Sequence, residues 1–176
     1  MNIFAIRRDG YHYQELDLEI DDFIANMPEN IDYGTVHDFS IENIALAQYW
    51  KPLRTGFSEI KGEKNLIPDV ANWIGATLLL SPKANRYLNE LLSPFGEFLP
   101  VQIENDTFYI FNCLTIADGN LLNGKFSFNE ESIENKIIFK TPQQQCIDIY
   151  CTEQLKSAIE TFELQGVIFD SNLNSY

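Results

Sequence analysis

The chain reads as an α+β domain: a mixed, mostly antiparallel sheet with short capped helices over about 41–50, 82–92 and 153–164 packed on it. Three observations predict this. Short runs of alternating apolar and polar residues recur between turn residues, as half-buried strands require. Three stretches instead carry apolar residues at helical spacing behind a Ser or Thr. Hairpin signals join several of the strands, which favours antiparallel neighbours.

The elements follow in order. Ile3, Phe4 and Ile6 form an apolar run that stops at Asp9-Gly10, a two-residue hairpin signal. Glu15, Asp17 and Glu19 then alternate with Leu16, Leu18 and Ile20, which predicts a strand with three carboxylates facing water. Met27-Pro28-Glu29-Asn30 is a loop. Ser40 is the expected cap of the first helix, with Ile41, Ile44, Ala45 and Tyr49 on one face and Lys51-Pro52 at its end. Residues 54–66 read as a loop or a poorly packed hairpin.

Leu78-Leu79-Leu80 is a buried strand. Ser81 caps the second helix and Pro82 takes its first position, where a missing N–H costs nothing. Ala84, Tyr87, Leu88, Leu91 and Leu92 form its apolar stripe, and Pro94 and Gly96 stop it. Residues 97–103 and 107–114 read as strands around the turn signal Asn105-Asp106. Gly119 to Gly124 is a turn, with further strands over 125–128 and 136–139. Ile147, Ile149 and Cys151 alternate, Thr152 caps the last helix, and Leu155, Ala158, Ile159 and Phe162 face one way along it. Gly166 ends that helix before a final strand, Val167-Ile168-Phe169. The two strand-cap-helix-glycine units look alike, and generic cap and stop chemistry accounts for the likeness without a duplication.

The length, 176 residues, suits a single domain over 1–176. Hydrophobic residues at 45% argue against disorder despite a formal charge of -14. The excess of 26 acidic over 12 basic residues disfavours direct binding to nucleic acid or to an anionic membrane surface. The longest apolar stretch, near Ile74 to Leu80, is far shorter than the ~20 residues of a membrane span. The N-terminus lacks a secretory pattern, so a cytoplasmic location is expected. Three cysteines without CxxC spacing suggest buried, reduced thiols.

Catalytic motifs are missing from the sequence. It has no GxSxG elbow, no GxGxxG, no P-loop and no HExxH. No metal site and no cofactor is expected, and no enzyme activity. The one nucleophile arrangement its residues permit is Cys113 with His12 or His37.

Charge is unevenly placed. Between Arg8 and Lys51 lie ten acids and no lysine or arginine. Tyrosines are interspersed. A solvated face that keeps the protein soluble would look like this. So would a docking surface for a basic protein, with aromatic anchors among charges that steer encounter. The candidate contact residues are Tyr11, Tyr13, Glu15, Asp17, Glu19, Asp21, Asp22, Tyr33 and Asp38. A second acidic cluster, Glu130, Glu131 and Glu134, falls on an expected loop between strands.

The second half carries a more specific pattern. Leu66-Ile67-Pro68-Asp69-Val70 is followed by Leu78-Leu79-Leu80-Ser81 and its helix, then by Gly96-Glu97-Phe98-Leu99-Pro100-Val101. Phe108-Tyr109-Ile110-Phe111-Asn112-Cys113-Leu114 and Asp118 complete it. In order and spacing these segments, with the strand-helix-strand unit up to about residue 170, resemble a family of immunity proteins from bacterial polymorphic toxin systems. Ala117-Asp118-Gly119 departs from that family's usual run. The likeness covers a core of 66–170 and leaves 1–65 less characteristic. It implies a non-catalytic inhibitor whose partner is a cognate toxin domain encoded nearby. The chain's acidity makes a basic toxin, such as a nuclease, the matching partner. Two other classes compete: an acidic mimic of nucleic acid that blocks DNA-binding proteins, and an enzyme with an unrecognised site.

Overall fold

A computed structural model describes residues 2–25, 27–58, 66–123 and 125–173. It is α+β, with mostly antiparallel sheets and short helices. Strand β1 (Ile3–Arg8) and the short β2 (Glu15–Leu16) precede helices α1 (Ile20–Ala25) and α2 (Tyr33–His37). Strands β3 (Leu53–Thr55), β4 (Phe57–Ser58), β5 (Val70–Asn72) and β6 (Thr77–Leu80) lead into α3 (Pro82–Leu92). After α3 come β7 (Gly96–Ile103), β8 (Asp106–Cys113), and the hairpin of β9 (Gly119–Leu122) with β10 (Lys125–Phe128). The chain closes with α4 (Glu130–Ile133), β11 (Ile138–Phe139), β12 (Tyr150–Thr152), α5 (Glu153–Thr161) and β13 (Val167–Asp170).

Two sheets make the frame. The larger has the order β3-β7-β8-β6-β5, antiparallel except for the parallel pair of β3 with β7. The smaller has the order β11-β12-β1-β13 and is antiparallel throughout. Each sheet contains a split β–α–β unit. Helix α3 links β6 to β7, and β8 runs between them. Helix α5 links β12 to β13, and β1 runs between them. The two helices meet where Tyr87 stacks on Phe162, ring centroids 4.4 Å apart.

Local chemistry explains α3 directly. The Ser81 hydroxyl accepts the Ala84 N–H at 3.0 Å, Pro82 opens the helix, and Ala84, Leu88 and Leu92 are buried. Thr152 occupies the matching place before α5 but makes no side-chain cap bond. Gly96 and Gly166 are both needed for closeness, and Gly166 also for its backbone angle. A Cβ at Gly96 would meet the Asn112 carbonyl oxygen at 2.2 Å. At Gly166, where φ is +118°, it would meet the Val70 carbonyl oxygen at 2.3 Å.

The larger sheet is covered on both faces. Period-two alternation sends Leu78, Leu80, Phe111 and Cys113 to one side, where α3, α5 and the smaller sheet complete the core. It sends Leu79, Leu99, Val101 and Ile110 to the other, against Leu16, Leu18, Phe23, Val36, Phe39 and Leu46. This second layer is built from the N-terminal part of the chain.

Several local expectations are corrected in that layer. The helix expected over 41–50 does not form; the backbone there makes turns, with Asn43 at φ +53°. Ser40 does not cap a helix. Its hydroxyl donates to the Cys146 carbonyl at 2.7 Å and accepts the Ala76 N–H at 3.0 Å. The strand expected over 15–20 is ladder-paired only at Glu15–Leu16, and α1 begins at Ile20. The alternation itself holds, because Leu16 and Leu18 are buried while Asp17 and Glu19 face solvent. Asp9-Gly10 turns the chain but makes no hairpin: β1 pairs with β12 and β13, and β2 pairs with β4. The turn between β7 and β8 lies at Glu104-Asn105, one residue before its signal, with Glu104 at φ +53°. Most of 54–66 lies outside the described residues; the described part holds β3 and β4.

Candidate docking surface

The acidic window folds into the outer layer over the larger sheet. Eight of its ten acids are exposed: Asp17, Glu19, Asp21, Asp22, Glu29, Asp32, Asp38 and Glu42. Asp22 also organises the backbone, since its carboxylate accepts the Glu19 N–H at 3.0 Å and ties down the start of α1. Glu15 is half-buried and ion-paired with Arg8, so its charge is matched within the chain.

The tyrosines divide. Tyr11 and Tyr33 are 59% and 66% exposed, which leaves both free to meet a partner. Tyr13 is half-buried and its hydroxyl donates to Gln165 Oε1 at 2.9 Å, linking the layer to the loop after α5. Burial, then the nearby Asp9 and Asp69 carboxylates, raise its pKa. The Asp9 carboxylate accepts the N–H groups of Tyr11 and His12 and contacts the His12 ring. Burial pushes its pKa up, but these hydrogen bonds outweigh burial and leave it below the ordinary value.

What holds the layer in place comes from the sheet. Glu97 on β7 reaches across and accepts the Leu46 N–H at 2.5 Å and the Ala47 N–H at 3.0 Å. Asn112 on β8 donates to Glu97 at 2.8 Å and to the Ile44 carbonyl at 3.0 Å. Lys140, fully buried, donates to the Ser40 carbonyl at 2.7 Å. Burial pulls its ammonium below the usual pKa, against the opposing effect of Cys113, Cys146 and Glu97. Four backbone groups between Ser40 and Ala47 are therefore satisfied by side chains remote in sequence, in place of helical hydrogen bonds. Sequence reasoning missed these three clasping residues. Their signal is a lone polar residue in an apolar run: Glu97 before Phe98-Leu99, Asn112 between Phe111 and Cys113, and Lys140 after Ile137-Ile138-Phe139.

A groove of about 530 Å³ opens between α1 and α2. Ile24, Ala25, Tyr33 and Gly34 give it an apolar lining, with Asp21 and His37 also on its walls. The groove thus unites Asp21 and Tyr33 from the predicted contact set. Glu15, Asp17 and Glu19 line a separate, smaller cleft with Trp73 and Ile74. Asp38 accompanies His37 at the end of α2, 3.2 Å from its ring nitrogen. The second acidic cluster lies on and just after α4, beyond the third apolar cluster that Ile133 joins.

The Cys113–His arrangement has no geometric support. Cys113 is fully buried, and burial pushes its thiol up to about 11, so it is held protonated. His12 and His37 instead stand at the surface beside Asp9 and Asp38. Among the described residues, no group of three or more His, Cys, Asp or Glu is arranged to hold a metal ion, and no helix is long and apolar enough to cross a membrane. No protein-family model matches the chain, and no curated protein sequence matches it.

Proposed function

We propose that the chain is an immunity protein that binds a cognate toxin domain and neutralises it by contact, without chemistry of its own. One observation carries this reading. The layer free of lysine and arginine presents eight exposed acids, and the residues that clasp it to the sheet include Glu97 and Asn112. Those two belong to the segments whose order resembles the toxin-immunity family. The scaffold pattern and the charged surface are thus parts of one construction. A negatively charged surface on a rigid sheet suits a basic toxin, such as a nuclease, because opposite potentials speed encounter.

The test is genetic and biochemical. The neighbouring gene should encode a protein with a toxic C-terminal domain. Producing that domain alone should stop growth, and adding this chain should restore it through a stoichiometric complex. Reversing Asp17, Glu19, Asp21 and Asp22 to lysine should slow association about tenfold or more at low salt and flatten its salt dependence. Growth arrest that persists with this chain present would overturn the proposal. Capture of several unrelated DNA-binding proteins would replace it with the nucleic-acid-mimic reading.

A further inference from the structure

We infer that the groove between α1 and α2 is a receptor for an arginine side chain presented by a basic polypeptide segment. The inference rests on the proposed docking function and names the chemistry of the group that docks.

The groove combines three features that a guanidinium group requires. Its lining is apolar where Ile24, Ala25 and Gly34 contribute, and can cover the three methylenes of an arginine stem. Tyr33, 66% exposed, offers an aromatic face over which a planar cation can lie. Asp21 is exposed on the same groove and supplies a carboxylate for paired N–H donors. Asp22, Asp32 and Asp38 stand on or next to the same two helices, and the window that holds them contains no lysine or arginine to compete for the site. The surroundings therefore repel anions and concentrate cations.

Arginine rather than lysine is the matching cation. A guanidinium is planar, weakly hydrated and able to bond a carboxylate through two nitrogens, while an ammonium is a strongly hydrated point charge. The volume, about 530 Å³, exceeds one side chain and leaves room for the neighbouring residues of the segment that carries it. Among the described residues on the walls, His37 is the one group that can carry positive charge, and it stands beside Asp38.

The test needs no toxin. The full chain, labelled with ¹⁵N, is titrated with the blocked peptide acetyl-Gly-Arg-Gly-amide, and in parallel with its lysine and citrulline counterparts. The arginine peptide should shift the amides of Ile24, Ala25, Tyr33 and Gly34 saturably. The citrulline peptide should not, and the lysine peptide should bind at least about fivefold more weakly. Tyr33→Ala and Asp21→Asn should each weaken the arginine peptide by about fivefold or more. Both replace exposed side chains, and an unchanged melting temperature confirms that each variant is folded. Two results would overturn the inference: no saturable shifts at these amides, or equal shifts for lysine and arginine spread over the whole acidic window. Growth protection is scored separately with the same variants. Peptide binding without protection would remove the docking function and leave the groove, whereas protection without peptide binding would do the reverse.

Discussion

The two faces of the larger sheet are covered in different ways. On one face lie α3, α5 and the smaller sheet, whose apolar stripes and alternating strands pack a continuous core. On the other lies an N-terminal layer of two short helices and connecting turns, fixed by Glu97, Asn112 and Lys140. The first cover is held mainly by apolar area, the second by apolar contacts plus a few long-range polar clasps. The difference teaches where a surface can vary. A layer whose backbone is held largely from behind can change most of its outward side chains, Asp22 and Asp9 excepted because they bond backbone N–H groups of the layer.

Three experiments sharpen or break this comparison. The largest effect is expected in the first cover. Leu88 is fully buried, and Leu88→Ala should lower stability by about 2–5 kcal/mol in chemical denaturation. Leu46→Ala in the second layer should cost about 2 kcal/mol, at the low end of that range, since turns can collapse where a helix packed on a sheet cannot. An equal or greater loss at Leu46 would show that the two covers pack alike.

Alkaline pH reports on the first cover through Cys113, which lies in its core beside Cys151, and comparison with Cys113→Ala isolates that share from the titration of Lys140 and Tyr13 in the other layer. Burial pushes the Cys113 thiol up to about 11 in the folded protein, from an ordinary value of 9.0. An unfolded thiol loses its proton first, so stability is intact below about 9 and falls as pH rises through the folded value. Cys113 should contribute roughly 2–3 kcal/mol to that fall. Denaturant titrations at pH 8 and at pH 11 should show a shallower decline for Cys113→Ala, and an unaltered decline would clear the thiol of the effect.

The most local effect is expected from the clasp. Glu97→Ala removes the acceptor of two backbone N–H groups and of the Asn112 amide, at a cost of about 1–3 kcal/mol. Native-state hydrogen exchange should quicken at Leu46 and Ala47 while the α3 amides keep their protection. Acceleration in both places would mean that the covers open together.

Legibility in the sequence follows the same division. Helix α3 was readable because its start, stripe and stop are all local: Ser81, Pro82, then Ala84, Leu88 and Leu92. Strands β6, β8 and β13 were readable from runs of the right period and length. Residues 41–50 misled because helical spacing and a serine are also local, while the acceptors and donors that decide their fate stand on β7, on β8 and at Lys140. The pairing of β1 was hidden for a similar reason, as its partners lie at the far end of the chain. Of the docking surface, the charge was legible and the shape was not. A groove between helices of six and five residues leaves too few turns to register as periodicity.

The place of β1 has a consequence for how the protein is made. Its Phe4, Ala5 and Ile6 leave the ribosome roughly 150 residues ahead of their ladder partners Cys151, Tyr150 and Phe169. Until then an apolar strand with two open edges must wait unpaired. The smaller sheet closes only after β12 and β13 have been made, so a translation product interrupted before them would expose a sticky strand and be open to degradation instead of persisting as a half-functional protein.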